Sequence, residues 1–159
     1  MFVFLIVFLI LTINEKILKM SHKITTVWKE NLIFESDNPN GYSFNLGQSQ
    51  DNNNPYKPMG PKAVMLSSLA ACSGLDVVSV VEKMKTSFSD FKIEVEGQLT
   101  EEHPRTYHTV NVDYHFYGNN LDEKKIKKAV DLSIEKYCGV MEMFRQFATV
   151  NTKIHYHSI

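Results

Sequence analysis

The stretch Pro61-Lys62-Ala63-Val64-Met65-Leu66-Ser67-Ser68-Leu69-Ala70-Ala71-Cys72-Ser73-Gly74-Leu75-Asp76-Val77-Val78-Ser79-Val80-Val81-Glu82-Lys83-Met84 decides the fold. Proline fits the first helical turn, where its missing N–H costs nothing. Its valine content would suit a strand, but the run is several times too long for one. A helix with almost no polar stripe before Glu82 is expected to be buried on most sides. A small domain rarely surrounds such a helix unaided. A second protomer packed against it is the economical expectation, and a wrapping sheet would serve the same end.

Strand patterns flank this helix. Before it, Ile24, Thr26 and Trp28 alternate with Thr25, Val27 and Lys29, followed by Leu32-Ile33-Phe34 and Tyr42-Ser43-Phe44-Asn45-Leu46. Asp37-Asn38-Pro39-Asn40-Gly41 is turn chemistry, so an antiparallel meander is expected. The polar run Gln48 to Pro58 reads as a loop placed to border a site. After the helix, Phe91, Ile93 and Val95 alternate with charged residues, and Val110, Val112, Tyr114 and Phe116 alternate with Asn111, Asp113 and His115. Asp122 to Tyr137 is amphipathic, with Ile126, Ala129, Val130 and Ile134 inward and lysines 124, 125, 127 and 128 on the solvated side. Gly139 is expected to break that helix before a short one over Val140–Phe147 and a last strand over Val150–Tyr156. The class is α+β: antiparallel sheets around a long buried helix.

The chain has 159 residues, 43% apolar and 22% charged, which fits one ordinary globular domain. Seventeen basic and eighteen acidic residues leave a net charge of -1, no footprint for a dedicated nucleic-acid binder. Residues 1–13 are apolar except for Thr12. That is shorter than the ~17–25 residues of a bilayer span, and no basic n-region or cleavage site marks a signal peptide. Residues 1–19 are therefore read as an extension outside the fold and 20–159 as the domain, with no stable membrane insertion expected.

Cys72 and Cys138 are the two cysteines, and neither belongs to a CxxC. Among six histidines none forms HExxH or a spaced Cys/His cluster, so no metal or other cofactor is expected. Both thiols could simply fill apolar space. Two features argue otherwise. Small residues surround Cys72, and Asp76 lies one turn further on the same helix face, where a carboxylate needs a lysine, an arginine or backbone donors.

The run Gly60-Pro61-Lys62-Ala63-Val64-Met65-Leu66, then Leu69-Ala70-Ala71-Cys72, together with Glu135-Lys136-Tyr137-Cys138-Gly139-Val140, resembles the OsmC/Ohr family of osmotically inducible and organic-hydroperoxide-resistance proteins. The family's element order covers about residues 23–156. The resemblance implies an intertwined homodimer with sites at its interface, and a thiol peroxidase without metal or haem. It makes Cys72 the peroxidatic and Cys138 the resolving cysteine, acting on an organic hydroperoxide and reset by an external dithiol. The chain departs from that pattern in two places. Lys62 stands where the peroxidases carry a glutamate, and no arginine precedes Arg105. Arg145 and then Lys62 are the candidate replacements for the cation that activates the thiol. A transient disulfide suits the cytoplasm. The alternative is a dimeric protein binding small lipophilic ligands, with Tyr107, Tyr114, Phe116, Tyr117 and Phe144 around its cavity and the cysteines structural; the same aromatics also read as ordinary core.

Overall fold

In the computed structural model, the described residues are 21–38, 40–49, 51 and 53–159. The apolar run at residues 1–19 lies outside them. The chain divides into two compact units, one ending at Pro61 and the other running from Lys62 to Ile159.

The first unit is the expected meander. Strands β1 (Thr26–Glu30), β2 (Ile33–Asp37) and β3 (Ser43–Gly47) form an antiparallel sheet in that order. Phe34 is paired with Trp28 on one side and Leu46 on the other. Asn31 takes a positive φ of 47° in the tight β1–β2 connection, a conformation asparagine tolerates better than most residues. Its carbonyl accepts a 2.9 Å hydrogen bond from the Trp28 indole. Gly41, at φ 82°, turns the chain into β3.

The second unit is built on helix α1 (Pro61–Lys83) and a mixed sheet. β4 (Asp90–Leu99) pairs antiparallel with β5 (Tyr107–Tyr117), as expected. β5 pairs parallel with β6 (Thr149–His157), so this sheet is not antiparallel throughout. A parallel neighbour needs a crossover rather than a hairpin. The crossover carries helix α2 (Glu123–Leu132), a π-helical turn (Ser133–Tyr137) and helix α3 (Gly139–Arg145). Asp122 caps α2 by accepting a 3.1 Å hydrogen bond from the Lys125 amide.

The alternation in β5 sends Val110, Val112, Tyr114 and Phe116 inward, each no more than 1% exposed. They meet Leu69, Val77 and Val81 of α1, Ile126, Ala129 and Val130 of α2, and Met141 and Phe144 of α3 in one core. The five aromatics therefore divide: Tyr107, Tyr114, Phe116 and Phe144 are core, while Tyr117 is half-buried on the other sheet face. Gly97 leaves room for the Tyr107 ring, which lies where a Cβ at this position would be.

Within the single chain, α1 is buried along one face, through Leu69, Ser73, Val77, Val80 and Val81. Leu75 is 73% exposed, Met65 43% and Val78 36%. Within its unit, one sheet covers one side of the helix and leaves the other apolar side open. α1 also has the length and apolarity of a membrane span, with a mean hydropathy of 1.8. Its buried face against the sheet and crossover helices gives that apolarity a packing role.

Candidate functional site

Cys72 lies in the middle of α1 and is partly exposed. Cys138 is buried and sits at the joint between the π turn and α3. Its amide donates to the Ser133 carbonyl at 2.8 Å, closing the π turn. Its backbone then leaves the helix at φ -75°, ψ 96°, and its sulfur accepts a 3.3 Å hydrogen bond from the Met141 amide. The break thus falls on Cys138 rather than on the expected Gly139, which is the first residue of α3. The physical reason is the cap: an extended residue with an acceptor side chain ends one helix and starts the next. Inserted π turns of this sort recur at functional sites.

These elements bring the two cysteines together. The Cys72 and Cys138 sulfurs and a carboxylate oxygen of Asp76 all lie within 4.8 Å of one another. The three are also the donor set, among the described residues, that could hold a metal ion. Among the described residues, Asp76 does not find the lysine, arginine or backbone donors considered for it. The Ser133 hydroxyl lies 3.5 Å from its Oδ2, and no lysine, arginine or histidine forms an ion pair with it among the described residues.

A buried hydroxyl network backs the pair. The Ser73 hydroxyl is 2.6 Å from that of Tyr114 and 2.9 Å from that of Ser133, which also donates to the Ser73 carbonyl at 3.1 Å. Ser73, Tyr114 and Ser133 are all fully buried. Ser73 and Ser133 were missed from sequence, although the signal was there. Ser73 lies between Leu69 and Val77 on one helical face, and Ser133 continues the stripe of Ile126, Ala129 and Val130. A hydroxyl on an otherwise buried apolar stripe needs partners.

Burial dominates the electrostatics. It pushes the Cys138 thiol up to about 11; the Met141 amide opposes this, and Cys72 and the Asp76 carboxylate reinforce it. Burial likewise pushes the Tyr114 hydroxyl up to about 12 against the opposing effect of its bond to Ser73. Both groups are neutral at physiological pH.

Neither candidate cation reaches a sulfur by a hydrogen bond in the chain. Arg145 donates from Nη1 to the Ile134 carbonyl at 2.7 Å, across the π turn, and its charge acts on Tyr114. Lys62 donates to the Arg105 carbonyl at 2.6 Å. It also lines a separate small cavity of about 280 Å³ with Met65, Tyr107 and Phe147. A larger groove of about 560 Å³ runs along the open side of α1, lined by Ala70, Ala71, Gly74, Leu75, Phe91 and Ile93 among others.

The histidines of β5 and β6 occupy the other sheet face. His115 stacks on His155 and lies 3.0 Å from His157, and His155 bonds Asp113 at 2.6 Å.

The family model described as OsmC-like protein matches residues 54–153, a span that includes both cysteines and Asp76. The chain belongs to the OsmC family. Among curated relatives it is similar to protein YhfA of Escherichia coli K12, 29% identical over 123 residues that make up 77% of this chain and 89% of that protein. Among solved structures it resembles a hypothetical protein from Aquifex aeolicus VF5, at 26% identity and a TM-score of 0.72, covering 86% of this chain and 97% of that one. The organic hydroperoxide resistance protein OhrB of Bacillus subtilis shares the fold at 17% identity and a TM-score of 0.59, over 84% of this chain and 97% of that one.

Proposed function

We propose that this OsmC-family chain is a cysteine-based peroxidase that reduces organic hydroperoxides, with Cys72 as the attacking and Cys138 as the resolving thiol. Family membership and the neighbouring thiols support a general thiol redox role, and the specific division of labour is our reading of the site. The observation that carries it is the approach of the two sulfurs to within 4.8 Å.

Cys72 is the partly exposed thiol, open to a peroxide, while Cys138 is buried and held neutral. The Cys72 thiolate attacks the distal oxygen of ROOH, the O–O bond breaks, and the alkoxide leaves as ROH after taking a proton. Cys72 becomes a sulfenic acid. Cys138 then displaces water from it, forming the disulfide. An external dithiol restores both thiols by two exchanges. The OhrB likeness is one of fold; the substrate class is proposed from the family resemblance and from the apolar groove beside Cys72. Arg145, through Tyr114 and the hydroxyl network, is the nearer of the two candidate cations to this machinery. Lys62 reaches it only if a second protomer presents it there.

The open apolar side of α1 supports a homodimer packed on that side, and a reducing cytoplasm suits the cycle. The same groove favours the second reading, a lipophilic-ligand binder with inert cysteines.

The test is titration of the reduced protein with an alkyl hydroperoxide or hydrogen peroxide, followed by peptide mass spectrometry. One intramolecular Cys72–Cys138 disulfide per ROOH is expected, with faster reaction for the alkyl peroxide. Cys138→Ser stops at the sulfenic acid, and Cys72→Ser consumes no peroxide. Unoxidised thiols at micromolar peroxide, with lipophilic ligand still bound by the double cysteine variant, would establish the second reading instead.

A further inference from the structure

We propose that Cys72, Asp76 and Cys138 form a site for a thiophilic divalent cation, zinc in particular. Thiolates and carboxylates are both zinc donors, and thiolate pairs favour zinc over harder cations such as magnesium or calcium. The donors come from two elements: Cys72 and Asp76 sit one turn apart on α1, a chelating pair, and Cys138 closes from the joint before α3. Their ligand atoms lie within 4.8 Å of one another. A tetrahedral ion with Zn–S bonds of ~2.3 Å holds its donors ~3.5–3.8 Å apart, so side-chain rotations of about 1 Å suffice.

The second observation is the charge. Asp76 is half-buried beside two sulfurs and forms no ion pair among the described residues. For a thiolate nucleophile, a carboxylate at this distance is the wrong neighbour, since it opposes the negative sulfur. For a dication it is the right one: two thiolates and one carboxylate offset its charge and leave one unit in excess. Three protein donors also leave the fourth position to water. Binding displaces the two thiol protons to solvent and involves no change of oxidation state. With both sulfurs coordinated, neither is free to attack a peroxide or to form the disulfide. That inhibitory consequence rests on the peroxidase reading, whereas the binding itself does not.

The experiment is titration of the reduced, chelator-treated full chain with Co²⁺, then displacement by Zn²⁺. Expected are one ion per chain, sulfur-to-cobalt charge-transfer absorption, and the intense visible bands of tetrahedral cobalt. Cys72→Ser and Cys138→Ser lose the charge-transfer bands, and the near-isosteric Asp76→Asn weakens binding by at least about tenfold. Circular dichroism confirms that each variant is folded, and zinc raises the unfolding temperature of the wild type but not of Asp76→Asn. Absence of the bands in the wild type, or wild-type affinity retained by Asp76→Asn and Cys138→Ser, overturns the proposal. So does binding that disappears in His157→Ala instead, which would assign the ion to the histidines of the sheet. Peroxide consumption by the metal-free protein is measured separately. An active chain that binds no cobalt defeats this proposal alone, and an inactive chain that binds it defeats the peroxidase reading alone.

Discussion

Oxidation of the thiol pair should stabilise the folded chain, by an amount that follows from topology. Cys72 and Cys138 are 66 positions apart, and cross-linking a loop of that length removes unfolded-state entropy worth about 4 kcal/mol. Against this stands the cost of closing the sulfurs from their present separation, within 4.8 Å, to a bond of ~2 Å. The joint at Cys138 lies between a π turn and a seven-residue helix. It can take up that movement more cheaply than the middle of α1, whose inner face is packed. A net gain of about 2–4 kcal/mol is therefore expected, that is, roughly 30- to 1,000-fold.

The measurement is the disulfide equilibrium against a reference dithiol, once in native buffer and once in denaturant. The ratio of the two constants gives the stabilisation directly, free of differences in denaturant slope between oxidised and reduced chains. Protein concentration is held fixed, so that self-association does not enter. A ratio of one or less would mean that the folded chain resists the bond, and it would refute the assignment of Cys138 as resolving cysteine.

Three further outcomes are expected. Tyr114→Phe removes one buried 2.6 Å hydrogen bond but leaves Ser73 paired with Ser133, costing about 1–2 kcal/mol in urea unfolding; Ser73→Ala also strands the Tyr114 hydroxyl and costs about 2–3 kcal/mol, so equal costs would break the network account. The Tyr114 hydroxyl is raised to about 12 by burial, so its contribution is fully present below the unfolded value of ~10 and is lost as pH rises from ~10 through about 12. Wild-type stability should fall by about 2–3 kcal/mol across that window, and Tyr114→Phe should flatten that part of the profile. Leu75→Glu, at a position 73% exposed in the chain, should convert a dimer to monomer in light scattering without loss of helical signal; an unchanged dimer would place its interface elsewhere.

What the residues disclosed by themselves was mostly local. Pro61 starts α1 where proline chemistry places a helix start, Asp122 caps α2, and the period-two patterns of β4 and β5 give their inward faces correctly. The parallel pairing of β5 with β6, where an antiparallel sheet was expected, depends on where distant segments pack, and no local pattern carries that. Gly139 drew the break to itself because glycine is the usual helix breaker. The actual break needs only an extended backbone at Cys138 and a sulfur that caps the next turn, and cysteine seldom signals either. At the site, Asp76 was visible as a carboxylate in need of a partner, but Ser133, 57 positions away, was not identifiable from spacing. The meeting of the thiols was expected from family resemblance alone, since tertiary contact across 66 positions leaves no periodic trace.

The crossover between the parallel strands has a consequence for how reactivity is acquired. Each residue of β6 faces a β5 partner 40 positions earlier in the chain, from Thr109 with Thr149 to Tyr117 with His157. Contacts that distant form late, because the intervening loop must close before they return any free energy. Cys138 travels on that loop, whereas Cys72 belongs to a helix that can form locally. Until the crossover helices pack against α1, the two sulfurs have nothing to hold them together, so a growing chain would not lock itself prematurely, and redox competence would mature only with the finished architecture.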